Sequence, residues 1–224
     1  MKKIFVHGMG HKAASWEQTV SRMKEGEEIL CPELSALLGE KPATYGNLYA
    51  SFAEYCNGTE GKIHLCGLSL GGVLALNYAL DYPEKVSTLA LIGTPCKIPR
   101  AAFAVQNFFF RFLPKSLFRR MAFDKKNTFI LGNSMKKLDF SDRVQNISCP
   151  TLIICGENDD ANKNAAEYMS RNIKGAALKM LAYAGHVVSE ENPEGLAKIL
   201  DEFYDSVPVC NAAFRPVGIA VREG

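Results

Sequence analysis

Apolar residues in this chain come in short β-branched and aromatic bursts. Most of these end in glycine or a polar turn and give way to a stretch with helical spacing. Residues 3–6 (Lys-Ile-Phe-Val) read as a first strand. Ser15 is expected to cap a helix through Trp16, Val20 and Met23. Residues 28–32 read as a second strand, and 45–56, with Leu48, Phe52 and Tyr55 in register, as a helix. Ile63, Leu65 and Cys66 form the next apolar run. It breaks at Gly67, and Val73, Leu74, Leu76, Asn77, Tyr78 and Ala79 follow as a helix ending near Pro83. Further strands are expected at 87–92, 150–155 and 178–183. Helices are expected at about 162–173 and from Pro193, with proline in its first turn, to about Val207. Strands alternating with helices predict an α/β fold with a mostly parallel central sheet covered on both faces. Ligand sites in such sheets lie beyond the carboxyl ends of the strands.

The stretch at 62–72 has the most specific chemistry. It reads Lys-Ile-His-Leu-Cys-Gly-Leu-Ser-Leu-Gly-Gly, a strand that turns through G-x-S-x-G directly into a helix. A serine at such an apex is held in a strained backbone region with its hydroxyl above the sheet edge, so Ser69 is the candidate nucleophile. Gly67 and Gly71 permit the close strand–helix approach. A serine hydroxyl needs a base within hydrogen-bond reach, and the chain offers four histidines. His64 falls inside a strand and reads as a packed core residue. His7 shapes a glycine loop, and His11 is expected to be exposed and without a role. His186 follows a strand in Ala184-Gly185-His186 and is the candidate base. The orienting carboxylate comes from the 157–160 cluster, with Asp159 chosen and Asp160 in reserve. A solvated charged turn describes the members that do not touch histidine. Backbone N–H groups of Leu70 and of Met9, in the loop His7-Gly8-Met9-Gly10, are the candidate oxyanion donors.

These pieces resemble the α/β-hydrolase superfamily over residues 3–207: His7-Gly8-Met9-Gly10 with Trp16, then Gly67 to Gly72, Gly156-Glu157-Asn158-Asp159, and Gly185-His186 with Asn192-Pro193-Glu194. The order Ser69, Asp159, His186 is that of the nucleophile-elbow enzymes. The resemblance implies a serine hydrolase of the carboxylesterase or lipase kind that uses no metal and no cofactor. The family's usual first hairpin has no counterpart here, so a reduced sheet of about six strands is expected.

Composition adds limits. The 224 residues suit one domain carrying an insertion, and a net charge of +2 makes no case for a nucleic-acid partner. Seven scattered cysteines without a C-x-x-C pair read as reduced thiols, not as zinc ligands or a disulfide framework. The apolar run Ile4-Phe5-Val6 is too short for a signal peptide, and a cytoplasmic location is expected. Residues 96–140 break the pattern. They are rich in phenylalanine and hold ten Lys and Arg against Asp124 and Asp139, and the family carries a helical cap at this position. A basic aromatic cap fits an anionic substrate such as a coenzyme A thioester, or contact with an anionic membrane surface. Residues 208–224 read as an irregular tail. The expected activity is hydrolysis of a small-molecule carboxylic ester or thioester through an acyl-enzyme. The alternatives are an acyl-thioesterase or acyltransferase working on an anionic acyl carrier, and a non-catalytic ligand-binding protein that kept the fold.

Overall fold

The structure is a computed structural model and describes residues 1–98 and 121–207. In chain order the elements are β1 (Lys2–Val6), a 3-10 turn (Ala13–Trp16), α1 (Glu17–Val20), β2 (Ile29–Leu30), α2 (Leu34–Leu38), α3 (Tyr45–Asn57), β3 (Ile63–Leu68), α4 (Leu70–Asp81) and β4 (Val86–Ile92). Beyond the undescribed segment follow α5 (Lys125–Met135), a second 3-10 turn (Val144–Asn146), β5 (Thr151–Gly156), α6 (Asp160–Asn172), β6 (Ala177–Leu181), α7 (Val188–Glu191) and α8 (Pro193–Ser206). The six strands form one sheet in the order β2-β1-β3-β4-β5-β6, and every neighbouring pair is parallel.

The central strands β1, β3, β4 and β5 are buried on both faces, which explains their nearly continuous apolar character. Ile4, Val6, Leu65, Leu89, Leu91 and Ile153 point to one face, which α2, α3 and α4 cover. Their neighbours Phe5, Cys66, Ala90, Ile92, Leu152 and Ile154 point to the other, where Trp16 and the α8 residues Leu196 and Leu200 meet them. This is the period-two alternation of a strand expressed with apolar residues on both sides. Phe5 and Trp16 pack edge to face at 5.2 Å.

Register sets the site. Val6 pairs with Gly67, Leu68 with Ile92, Ile92 with Ile154, and Gly156 with Leu181. The strand ends are therefore level, and the turns after β1, β3, β4, β5 and β6 emerge along one edge.

The sequence expectations differ from the structure at several boundaries. β2 is two residues long because only Ile29 and Leu30 pair with β1. The helix expected from Ser15 to Met23 breaks into the 3-10 turn and the single turn of α1. Lys12, not Ser15, occupies the cap position, and the Ser15 hydroxyl is buried without a partner. β6 stops at Leu181, and Tyr183 lies beyond it at φ 57°, a left-handed conformation no strand continues through. α2 carries no strong periodicity over its five residues and goes unread in the sequence. Of the segment 96–140, residues 99–120 lie outside the described residues, as does the tail 208–224. The described ends of that segment meet. Phe140 N–H donates to Cys96 O at 2.8 Å and Ile98 N–H to Leu138 O at 3.1 Å. α5 packs on α3, with Ser134 Oγ accepting the Tyr45 N–H at 2.8 Å. Among the described residues, no helix is long and apolar enough to cross a membrane.

Candidate active site

The turn between β3 and α4 is built on absent side chains. A Cβ at Gly67 would run into the Gly71 carbonyl, one at Gly71 into the Val6 carbonyl, and one at Gly72 into the Thr94 hydroxyl. α4 therefore seats directly against β1 and β3, and the residue joining them must reverse the chain in one step. That residue is Ser69, at φ 54° and ψ −113°. A non-glycine residue here carries strain on the order of 1–3 kcal/mol, tolerated only where the surroundings over-determine it. They do: Ser69 N–H donates to Ile92 O and Ser69 O accepts from Val73 N–H, both at 2.9 Å.

The chain crosses the neighbouring turn at Gly93, at φ 50°. A Cβ there would lie 3.1 Å from both Asp159 Oδ2 and His186 Nδ1. The Ile92–Gly93 turn thus has the serine backbone bonded to its one residue and the histidine–carboxylate pair packed against the next. His186 Nδ1 donates to Asp159 Oδ2 at 2.8 Å, with the imidazole side chain 41% exposed and the carboxylate 3% exposed. Asn162, one helical turn on, donates its Nδ2 to both Asp159 oxygens at 2.9 Å. Its 3.2 Å approach to His186 Nδ1 brings two donors together and is a consequence of their shared acceptor, not a bond of its own. Burial alone would raise the Asp159 carboxyl. The hydrogen bond and charge of His186 and the Asn162 amide outweigh it and hold the group below the ordinary carboxylate range.

Asp160, the reserve carboxylate, points away: it is largely exposed and paired with Lys163 at 2.6 Å. The β5 turn separates the two neighbours because Asp159, at the position just before α6, faces inward, while Asp160 starts the helix on its outer side.

His7 is fully buried. Its Nδ1 bonds the Gly8 carbonyl at 2.8 Å and its Nε2 accepts the Leu34 N–H at 3.1 Å, an arrangement that requires the neutral tautomer protonated on Nδ1. Burial lowers its pKa against the pull of Glu33, so the 3.2 Å approach to that carboxylate is not an ion pair. His7 shapes the loop. His64 is buried between strands with Nδ1 2.8 Å from Thr88 Oγ1, a core role as read from the sequence. His11 corrects the expectation of an exposed side chain: it is half-buried, and its Nδ1 is buried without a hydrogen-bond partner. Its N–H donates to Gly8 O at 3.2 Å, folding the residue back so that a Cβ on Gly8 would sit 3.1 Å from its Nδ1 and 3.5 Å from Ser69 Cβ. Burial lowers its pKa against the pull of the Glu190 carboxylate.

Leu70 is the first residue of α4, where the helical ladder offers its N–H no acceptor. Met9 follows Gly8, the glycine packed against Ser69. Among the described residues, no cluster of three or more His, Cys, Asp or Glu is arranged to hold a metal ion.

A sequence model described as the alpha/beta hydrolase family matches residues 4–199, nearly the whole described chain. The chain belongs to the alpha/beta hydrolase family. One relative of this hydrolase is a putative 2-succinyl-6-hydroxy-2,4-cyclohexadiene-1-carboxylate synthase of Bacillus subtilis, 28% identical over 183 residues that span 65% of this chain and 67% of the relative. Another is a pimeloyl-[acyl-carrier protein] methyl ester esterase of Nitrosomonas europaea, 23% identical over 235 residues and covering 88% of this chain and 93% of that one. Among solved structures, a thermophilic esterase from Thermogutta terrifontis superposes with a TM-score of 0.77 at 23% identity, over 92% of this chain and 90% of its own. At that identity the hydrolase shares a fold with it.

Two residues of the site escaped the sequence reading, Asn162 and Glu191. Asn162 follows Asp159 at the spacing of one helical turn, which was a usable signal. Glu191 contacts the loop of His186 from α7.

Proposed function

We propose that this hydrolase cleaves a carboxylic ester or thioester through an acyl-enzyme formed on Ser69. The observation that carries the reading is the strained Ser69 at the β3–α4 apex, tied through its backbone to Ile92, while His186, its Nδ1 committed to a buried carboxylate, packs against the next residue, Gly93. With Nδ1–H donating to Asp159, the unprotonated Nε2 is left to act as base. In the first half-reaction Ser69 Oγ attacks the acyl carbon and its proton passes to His186 Nε2. The Leu70 and Met9 N–H groups receive the carbonyl oxygen as it becomes an oxyanion, a contribution worth about 3–4 kcal/mol per donor where one has been removed from comparable sites. Collapse expels the alcohol or thiol, which takes the proton back from His186. Water then attacks the acyl-enzyme, gives a proton to His186, and the carboxylic acid leaves with Ser69 restored. Asp159 orients the imidazole and balances its transient charge.

The names of its relatives support an ester as substrate, and the acyl-carrier methyl ester named for one of them agrees with an anionic carrier attached to the acyl group. The ten basic residues of 96–140 point the same way, since they would draw a phosphate-bearing carrier toward the site edge. We read this segment as a cap on a core spanning residues 1–207.

Fluorophosphonate labelling tests the proposal. Label is expected on Ser69 and lost in Ser69→Ala, whose turnover of p-nitrophenyl esters should vanish while its melting temperature stays near that of wild type. Turnover by Ser69→Ala close to wild type would remove the assignment. Tight ligand binding with neither labelling nor turnover would support the binding-protein alternative instead.

A further inference from the structure

We propose that Glu191 is a positioning residue for His186, a role that rests on the reading of His186 as the general base. Glu191 ends α7, five residues beyond the histidine, and its side chain folds back over the loop. Its Oε2 accepts the Gly185 N–H and its Oε1 accepts the Val187 N–H at 3.2 Å. These two amides flank His186, so a single carboxylate holds the backbone on both sides of the imidazole.

The loop is built around that carboxylate. A Cβ at Gly185 would lie 3.1 and 3.6 Å from its two oxygens, and a Cβ at Gly156 would run into the Gly185 carbonyl. Gly185 is thus packed between the β5 turn on one side and Glu191 on the other, with no room for a side chain at Gly156 and a tight fit for one at Gly185. The rest of the loop is already tied: Ala184 O accepts the Asn158 N–H at 2.8 Å, joining it to the Asp159 turn, and Val187 O accepts the N–H groups of Glu190 and Glu191 at 3.0 Å. Within this arrangement the Gly185 and Val187 amides take their acceptors from Glu191.

The consequence is kinetic more than thermodynamic. Glu191 is exposed, so water competes for the same amides and its removal costs little global stability. The imidazole, by contrast, must hold Nδ1 on Asp159 and Nε2 on the serine at once, and a misplacement of about 1 Å in such a constellation costs about 10²-fold in rate.

Kinetics of Glu191→Ala and Glu191→Gln on p-nitrophenyl esters test the role. Glu191→Ala should lower kcat, and the rate of fluorophosphonate labelling with it, by about 10–100-fold. KM should stay within about two-fold and the melting temperature within a few degrees, because neither substrate contacts nor core packing change. Glu191→Gln keeps one acceptor oxygen but turns an NH2 onto the other amide, so it should fall between Ala and wild type. Hydrogen exchange at Gly185 and Val187 should accelerate in both variants. Wild-type kcat in Glu191→Ala overturns the proposal; should that variant not fold, wild-type kcat in the isosteric Glu191→Gln does so. An active wild type with unimpaired variants removes Glu191 alone. A wild type that neither labels nor turns over any ester removes the general-base reading and this role together.

Discussion

Replacing Asp159 by asparagine alters one atom and sets two donors against each other. In the wild type the buried carboxylate is pure acceptor: Oδ2 takes the His186 Nδ1–H at 2.8 Å, and both oxygens take the Asn162 Nδ2 at 2.9 Å. The variant's amide can turn its oxygen to His186, but then its own NH2 faces the Asn162 NH2, which lies equally close to both positions. Turned the other way, it donates to Nδ1 and forces the proton onto Nε2, where a base must be unprotonated. One orientation leaves a buried donor unsatisfied, at about 1–3 kcal/mol. The other selects the wrong tautomer, which in a serine triad costs about 10⁴-fold in kcat. For a domain of this size the first figure corresponds to a fall of about 2–12 °C in melting temperature, taking about 2–4 °C per kcal/mol.

The assay is steady-state hydrolysis of a p-nitrophenyl ester beside thermal melts of both proteins from pH 3 to 8. Asp159→Asn is expected to lose about 10³–10⁴ in kcat with KM little changed. The melts carry a sign as well. The Asp159 carboxyl is held below its ordinary range in the folded protein, so it stabilises the fold at neutral pH. That contribution begins to go as pH drops through the ordinary carboxylate range and is gone below the lowered folded value. The wild-type advantage over Asp159→Asn should therefore shrink on acidification. A variant with kcat within ten-fold of wild type, or a stability gap that widens toward pH 3, would refute the reasoning.

Two substitutions test the turn that carries the serine. Ser69→Gly removes the side chain that penalises φ 54°, so in a denaturant titration it should raise the unfolding free energy above that of Ser69→Ala by about 0.5–1 kcal/mol, and with it the midpoint, while abolishing turnover. A midpoint below that of Ser69→Ala would mean the backbone is not strained there. Gly71→Ala drives a methyl group into the Val6 carbonyl, against backbone that cannot yield. It should cost more than about 3 kcal/mol or abolish soluble expression, and a melting temperature within 2 °C of wild type would contradict the packing described.

Much of this protein is legible along the chain because its central strands are buried on both faces. Burial on both sides favours apolar residues at most positions, and runs such as Ile63 to Leu68 or Val86 to Ile92, interrupted by His64, Ser87 and Thr88, show it without knowledge of their neighbours. Ser69 is legible for a related reason: glycines at 67, 71 and 72 are needed wherever a helix meets the sheet this closely. Short or amphipathic pieces were less secure. A polar residue before an apolar one looks like a helix cap whether or not the chain takes that path, and Ser15 shows the failure. His11 failed similarly, because its ring is brought back over Gly8 by a turn whose residues carry no distinctive pattern.

What the sequence by itself determined is the sheet, its parallel order of strand and helix, and the residue types gathered at one edge: periodicity and glycine spacing are local properties. Only the tertiary structure chose between Asp159 and Asp160, adjacent and chemically identical, by turning one under His186 and the other out to Lys163. It likewise turned the Asn162 amide onto the Asp159 carboxylate and folded Glu191 back over the His186 loop. Partnership across loops depends on the level register of β3, β4, β5 and β6, and that register comes from packing the whole sheet.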